Sequence, residues 1–179
     1  TTGTGNFSPS ITSLNTSYNI TAADITAGTL YLILTSTANG PCPAVADSLQ
    51  LNIDQPAVVT AGNDQTLCSN ATQVQLAGFV SGGSSSGQWS SVGTGTFSPT
   101  DSTLNALYLP SASDIQNGVA LIITSTQNGG CTAVTDTMNI AFQQLAIVNA
   151  GPDQLICSTT ITAALNGIIT GGTTTGIWA

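Results

Sequence analysis

Lysine, arginine, histidine and glutamate are all missing from the 179 residues, so the acidic side chains are eight aspartates and no side chain is cationic. A formal charge of −8 with nothing to offset it removes whole classes of function. Nucleic-acid binding works by Lys and Arg displacing counterions from phosphate, which leaves no electrostatic route to DNA or RNA. Anionic membrane surfaces are excluded for the same reason. Acid–base catalysis draws mostly on His, Lys or Glu, and a nucleophilic Ser or Cys needs a neighbouring base. Only aspartate chemistry is left, and the sequence argues against an enzyme. Without lysine, no Lys–Asn isopeptide bond can lock the fold. Long apolar runs are missing too: stretches such as Leu30 to Leu34 are far too short for membrane insertion, and no charged-then-apolar leader opens the sequence. With no His and no CxxC pair, the sequence offers no metal site and implies no cofactor.

Hydroxyls are abundant instead: 29 Thr and 19 Ser stand beside 19 Gly and 7 Pro. Low charge with many polar residues suits a disordered linker, but a hydrophobic content of 41% and a mean hydropathy of +0.28 provide for a core. The apolar residues are mostly Val, Ile, Leu, Tyr, Phe and Trp in short runs mixed with Thr, which fits pleated, half-buried strands. The chain therefore reads as all-β.

An internal repeat organises it. Gly3-Thr4-Gly5-Asn6-Phe7-Ser8-Pro9 returns as Gly93-Thr94-Gly95-Thr96-Phe97-Ser98-Pro99, and Tyr18 and Asp24-Ile25 return as Tyr108 and Asp114-Ile115, all at an offset of 90. Thr35-Ser36-Thr37 and Cys42 return as Thr124-Ser125-Thr126 and Cys131, where the offset has become 89. Ala61-Gly62, Asp64-Gln65, Cys68, Gly82-Gly83 and Trp89 return as Ala150-Gly151, Asp153-Gln154, Cys157, Gly171-Gly172 and Trp178. The expected division is residues 1–54, the C-terminal part of one repeat; 55–143, a complete repeat; and 144–179, the N-terminal part of the next. The segment reads as a two-repeat window on a longer tandem array.

Within 55–143 the expected strands are Ala57 to Leu67 with a break at Gly62-Asn63, then Gln73 to Val80, Gln88 to Ser91 and Gly95 to Phe97. Leu104 to Leu109, Val119 to Thr126 and Val134 to Phe142 follow. Ser111-Ala112-Ser113-Asp114, like Thr21-Ala22-Ala23-Asp24, has the spacing of a capped helical turn. About seven short strands in a unit of about 89 residues point to a Greek-key β-sandwich of immunoglobulin-like type.

These motifs, with Asn128-Gly129-Gly130-Cys131 and Ala150-Gly151-Pro152-Asp153-Gln154-Leu155-Ile156-Cys157, resemble the repeats of giant cell-surface proteins of gliding Bacteroidota, gliding-motility adhesins above all; the first strand also resembles PKD domains. The resemblance implies an extracellular, cell-surface filament exported by type IX secretion, built of PKD-like sandwiches. It carries over no catalytic residue. The partners it implies are neighbouring repeats of the same chain, other filament chains or surface polysaccharide. It also implies O-glycosylation where Asp precedes Ser or Thr and a small or aliphatic residue, which makes Ser48, Ser102 and Thr137 the candidate hydroxyls. Two functions follow: a structural stalk for surface attachment, favoured by repetition, or a carbohydrate-binding repeat module, which needs exposed aromatics in a chain only 5% aromatic.

Trp89 and Trp178, one per repeat in the third strand, are expected in the core rather than on a sugar platform. Asp64 and Asp153 are expected to cap local turn amides rather than hold Ca²⁺. Cys42, Cys68, Cys131 and Cys157 are disulfide candidates in an exported chain, and four cysteines allow three pairings. A strand from Ala57 to Leu67 spans up to ~36 Å at about 3.3 Å per residue, whereas bridged Cα atoms lie within about 7 Å. Bonds between successive repeats are therefore preferred, with a Cys68–Cys131 bond and free thiols as the alternatives.

Overall fold

The computed structural model describes residues 1–179. In chain order the first elements are β1 (Asn6–Ser8), β2 (Ser17–Asn19), α1 (Ala22–Ala27), β3 (Thr29–Thr35) and β4 (Ala46–Asn52). Then come β5 (Ala57–Thr60), β6 (Gln65–Cys68), β7 (Val74–Gln75), β8 (Phe79–Gly82) and β9 (Ser86–Ser91). The rest are β10 (Thr96–Ser98), β11 (Leu107–Leu109), α2 (Ala112–Asn117), β12 (Val119–Thr126), β13 (Thr135–Gln143), β14 (Ile147–Asn149) and β15 (Ile168–Thr170). With 39% of residues in strands, 7% in helices and no barrel, the chain is all-β.

The chain divides into two compact units: Thr1–Val59 with Val80–Ser86 and Ser125–Val134, and Thr60–Phe79 with Gly87–Thr124 and Thr135–Ala179. Residues 55–143 thus contribute to both. In the first unit β3 and β4 form an antiparallel ladder from Thr29↔Asn52 to Thr35↔Ala46, and β1 pairs with β2 so that Phe7 lies opposite Tyr18. In the second, β6, β13, β12 and β9 form a four-stranded sheet, and β10, β11 and β7 a three-stranded one. Alternation builds its core: Val119, Leu121 and Ile123 of β12 point inward at every second position, as do Met138 and Ile140 of β13. Trp89, Tyr108, Val74 and Leu76 complete it. The indole N–H of Trp89 donates to the Leu104 carbonyl at 3.0 Å, so its one polar group is not stranded inside.

Two expected strands are divided. Ala57 to Leu67 becomes β5, paired with β8, and β6, which runs parallel to β13 in a different sheet. Carboxylates fix the crossover between them. Asp136 accepts from the buried Ala61 amide at 2.8 Å, and Asp64 accepts from the Asn139 amide at 2.7 Å. Gln73 to Val80 splits into β7 and β8, because the intervening amides of Leu76 and Gly78 donate to the carbonyls of Ala106 and Leu104 while β8 turns to β5. Of Leu104 to Leu109 only Leu107–Leu109 is strand. The capped turns are six-residue helices, each with a reciprocal capping box, Thr21 with Asp24 and Ser111 with Asp114.

Those two aspartates do more than cap. Asp114 is buried, and it accepts from the amides of Thr94 (3.1 Å), Gly95 (2.9 Å) and Ser111 (2.9 Å) and from the Tyr108 hydroxyl (2.8 Å). Tyr108 Oη in turn accepts from the Gly95 amide at 3.1 Å. The approach is possible because Gly93 has no side chain: a Cβ there would lie 2.1 Å from Asp114 Oδ1. The same clamp recurs in residues 1–54. Asp24 accepts from the amides of Thr4 (2.8 Å) and Thr21 (3.0 Å) and from the Tyr18 hydroxyl (3.1 Å). Burial pushes the Asp114 carboxyl up, but the Ser111 amide, the Tyr108 hydroxyl and the Thr94 amide together outweigh it and hold the carboxyl below its ordinary value. For Asp24 the amides of Thr21 and Thr4 dominate, and the pKa falls far below the carboxylate range. Burial raises that of Tyr108.

Replacing Asp114 by Ala leaves three amides and a hydroxyl without their acceptor, and urea denaturation is expected to show a loss of ~2–4 kcal/mol. A carboxyl with a lowered folded pKa contributes in full above its unfolded value of about 4, and the contribution is lost as pH falls through the folded value. The raised Tyr108 contributes in full below about pH 10 and loses that contribution as pH rises through its folded value. With no histidine, the melting temperature is expected to be flat between about pH 5 and 7.5 and to fall in acid. Asp114→Asn should weaken the acid dependence.

Candidate functional site

No group of three or more His, Cys, Asp or Glu residues comes together at metal-binding range. Besides the clamps, polar geometry recurs along the two linkers, Asp54-Gln55-Pro56 and Gln143-Gln144-Leu145. Asp54 Oδ2 accepts from the Gly130 amide at 2.7 Å, Cys131 Sγ lies 3.3 Å from the Asp54 carbonyl, and Gln55 Nε2 donates to the Ile25 carbonyl at 2.9 Å. The Gly83 amide donates to the Pro56 carbonyl at 3.2 Å. A Cβ on Gly83 would sit 1.6 Å from the Gln55 carbonyl oxygen, so a side chain there would block the linker's path. The second linker repeats the glycine contact, with other side-chain partners. The Gly172 amide donates to the Leu145 carbonyl at 3.4 Å, Gln143 Nε2 donates to the Gly172 carbonyl at 3.2 Å, and the Leu145 amide donates to Ser69 Oγ at 3.3 Å. A Cβ on Gly172 would lie 1.9 Å from the Gln144 carbonyl oxygen.

In the sequence the Gly-Gly pairs, at a fixed place ahead of each Trp, and the Gly-Thr-Gly motif stand out only as repeat markers; in the structure the pairs leave room for the passing backbone and the motif supplies amides to the aspartate clamps.

The four cysteines are unbonded, with Cys42, Cys68 and Cys157 exposed and Cys131 half-buried. Cys68 ends β6 in register with Gln143, at the C-terminal end of β13, whereas Cys131 lies in the turn that precedes the strand's first residue, Thr135. Hydrogen bonds from the Thr159 hydroxyl and amide to its sulfur lower the Cys157 thiol.

Ser48 and Thr137 lie on β4 and β13 and Ser102 in the turn after β10, all three exposed. Trp89 is 1% exposed and Trp178 58%. Residues 144–179 provide only the β14–β15 ladder, and the Trp178 ring covers Gly167 with its other face uncovered. Asp64 does not cap a local turn: its partner Asn139 is 75 residues away. Asp153 is exposed.

No protein family matches the chain, and no curated protein is similar to it. Alkylation of the thiols should separate them. At pH 7 Cys157 is expected to react first, because more of it is thiolate, and the half-buried Cys131 last. Thr159→Ala should remove the lead of Cys157; mass-spectrometric peptide mapping over time measures both effects.

Proposed function

We propose that the chain is a structural segment of an extracellular stalk or filament, built of tandem immunoglobulin-like, PKD-like Greek-key sandwiches of about 89 residues. Successive segments end near residues 54 and 143. One observation carries this reading: the buried aspartate clamp and the pinned linker both occur twice, at the spacing of the sequence repeat. A binding or catalytic repeat would preserve a surface constellation. What recurs here is what closes a fold and holds the path between one segment and the next.

The resemblance to surface proteins of gliding Bacteroidota supports an exported adhesin stalk that serves attachment or gliding. Neighbouring repeats are its first partners. For a sugar-binding role the aromatics of the complete repeat offer little: Trp89 is buried and Phe97 packs on Tyr108 with centroids 5.2 Å apart, which leaves Phe79 as its exposed ring.

A sandwich whose longest strand has nine residues is about 30 Å long at ~3.3 Å per residue, so each repeat with its linker should add ~35–45 Å. Electron microscopy of arrays with increasing repeat number measures that increment. An increment well under ~30 Å, or glycan-array binding that grows with repeat number, would overturn the stalk. Exposed Ser48, Ser102 and Thr137 make O-glycosylation part of the reading, and native peptides that carry them should exceed their unmodified masses by whole sugar increments.

A further inference from the structure

Two contacts in different parts of the chain fall on one position of the repeat. Asp54 and Gln143 are counterparts at the offset of 89, and each opens a linker. The Asp54 carbonyl accepts at 3.3 Å from the thiol of Cys131, which lies in the turn between β12 and β13 of the segment that follows this linker. The Gln143 carbonyl accepts at 2.9 Å from the amide of Ser69, and Gln143 is the register partner of Cys68, at the end of β6 in the segment that precedes this linker. A carbonyl oxygen has two lone pairs and can take both donors.

Brought onto one linker, the two cysteines are neighbours. Sγ lies 3.3 Å from the carbonyl oxygen, the Ser69 nitrogen lies 2.9 Å from it, and Cys68 Cα is about 2.4 Å from that nitrogen, so Sγ and Cα are under about 9 Å apart. Within one repeat they are far apart, at opposite ends of β13. From Thr135 to Gln143 that strand runs about 26 Å at ~3.3 Å per residue, whereas bridged Cα atoms lie within about 7 Å. Both members of the pair recur, Cys42 with Cys131 and Cys68 with Cys157. The other contact of this turn does not: the Gly130 amide donates to the Asp54 carboxylate, but Pro41 is the counterpart of Gly130 and Gln143 that of Asp54. The thiol contact asks only for a backbone carbonyl and is indifferent to those changes.

We propose that Cys68 forms a disulfide with the turn cysteine of the following repeat, the counterpart of Cys131, so that each joint of the array carries one cystine. Cys131 in turn bonds to the β6 cysteine of the repeat before it. This inference rests on the tandem-repeat reading above and gives its joints a covalent tie. With oxidised glutathione as oxidant, one protein thiol gives its proton to solvent and its thiolate attacks the glutathione disulfide, releasing one glutathione. The facing thiolate then attacks the mixed disulfide and displaces the other. Two protein thiols become one disulfide, and two reduced glutathiones carry away the electrons and protons.

The test is the chain lengthened by one repeat, residues 1–143 followed by 55–179, so that 55–143 occurs twice in succession. Two variants keep one pair of cysteines each and carry serine at the rest. One keeps Cys68 of the first occurrence with Cys131 of the second, the other Cys68 and Cys131 of the first. Circular dichroism of both should match that of the all-cysteine chain. In the same glutathione buffer the bonded fraction, read from the mass of the alkylated monomer, should be at least ~10-fold higher in the first variant. The all-cysteine chain gives a reading that needs no serine at cysteine positions. With Thr66→Ser marking the first occurrence and Thr132→Ser the second, the cross-linked Cys68–Cys131 peptide should carry both marks. A first variant that stays reduced, a second that closes, or a cross-linked peptide with one mark would overturn the proposal. Electron microscopy of the lengthened chain keeps the two readings apart: an added ~35–45 Å with the thiols still free sinks the disulfide and leaves the stalk, whereas a chain that folds back on itself sinks the stalk.

Discussion

An anion closed off from water without a cation must be satisfied by amides and hydroxyls alone, and the fold is organised around meeting that demand at Asp114. Its four donors come from the Gly93-Thr94-Gly95 loop, from β11 through Tyr108 and from the cap of α2, so one carboxylate ties the start of the β10–β11 ladder to the helix that follows it. The capping box sets the end of the helix, and the glycines let the loop backbone come close enough to donate. Residues 1–54 form the same clamp at Asp24.

The other carboxylates with partners follow the same rule. Asp54, Asp64 and Asp136 accept from the amides of Gly130, Asn139 and Ala61, and Asp101 accepts from the Gln88 side chain at 2.8 Å. None of these contacts is an ion pair, so salt has no attraction to screen. It weakens only the mutual repulsion of eight like charges.

Much of this was legible in the sequence because it is local or periodic. Both capping boxes follow from a hydroxyl residue three positions ahead of an aspartate, and Trp89 follows from its place in a strand. Other features turned on partners far away in the chain. That the strand after Ala57 changes sheets depends on Asp136 and on the Asp64–Asn139 contact, which spans 75 residues. The division of Gln73 to Val80 depends on carbonyls at Leu104 and Ala106. The role of Gly83 depends on where the linker backbone passes, a position that no side-chain pattern encodes. Burial depends on what covers a residue as much as on which residue it is.

The parallel pairing of β6 with β13 has a mechanical meaning. β6 lies near the start of residues 55–143 and β13 at their end, and the two strands share four registered positions from Ile140↔Gln65 to Gln143↔Cys68. Pulling the chain apart on either side of them draws parallel neighbours in opposite directions along their length. The hydrogen bonds between them are then loaded together, in shear, whereas a hairpin opened from its end breaks one rung at a time. Resistance to stretch thus comes from the shorter of the two outer strands of the sheet pairing with the last, a connection that bears the load first when the molecule is under tension.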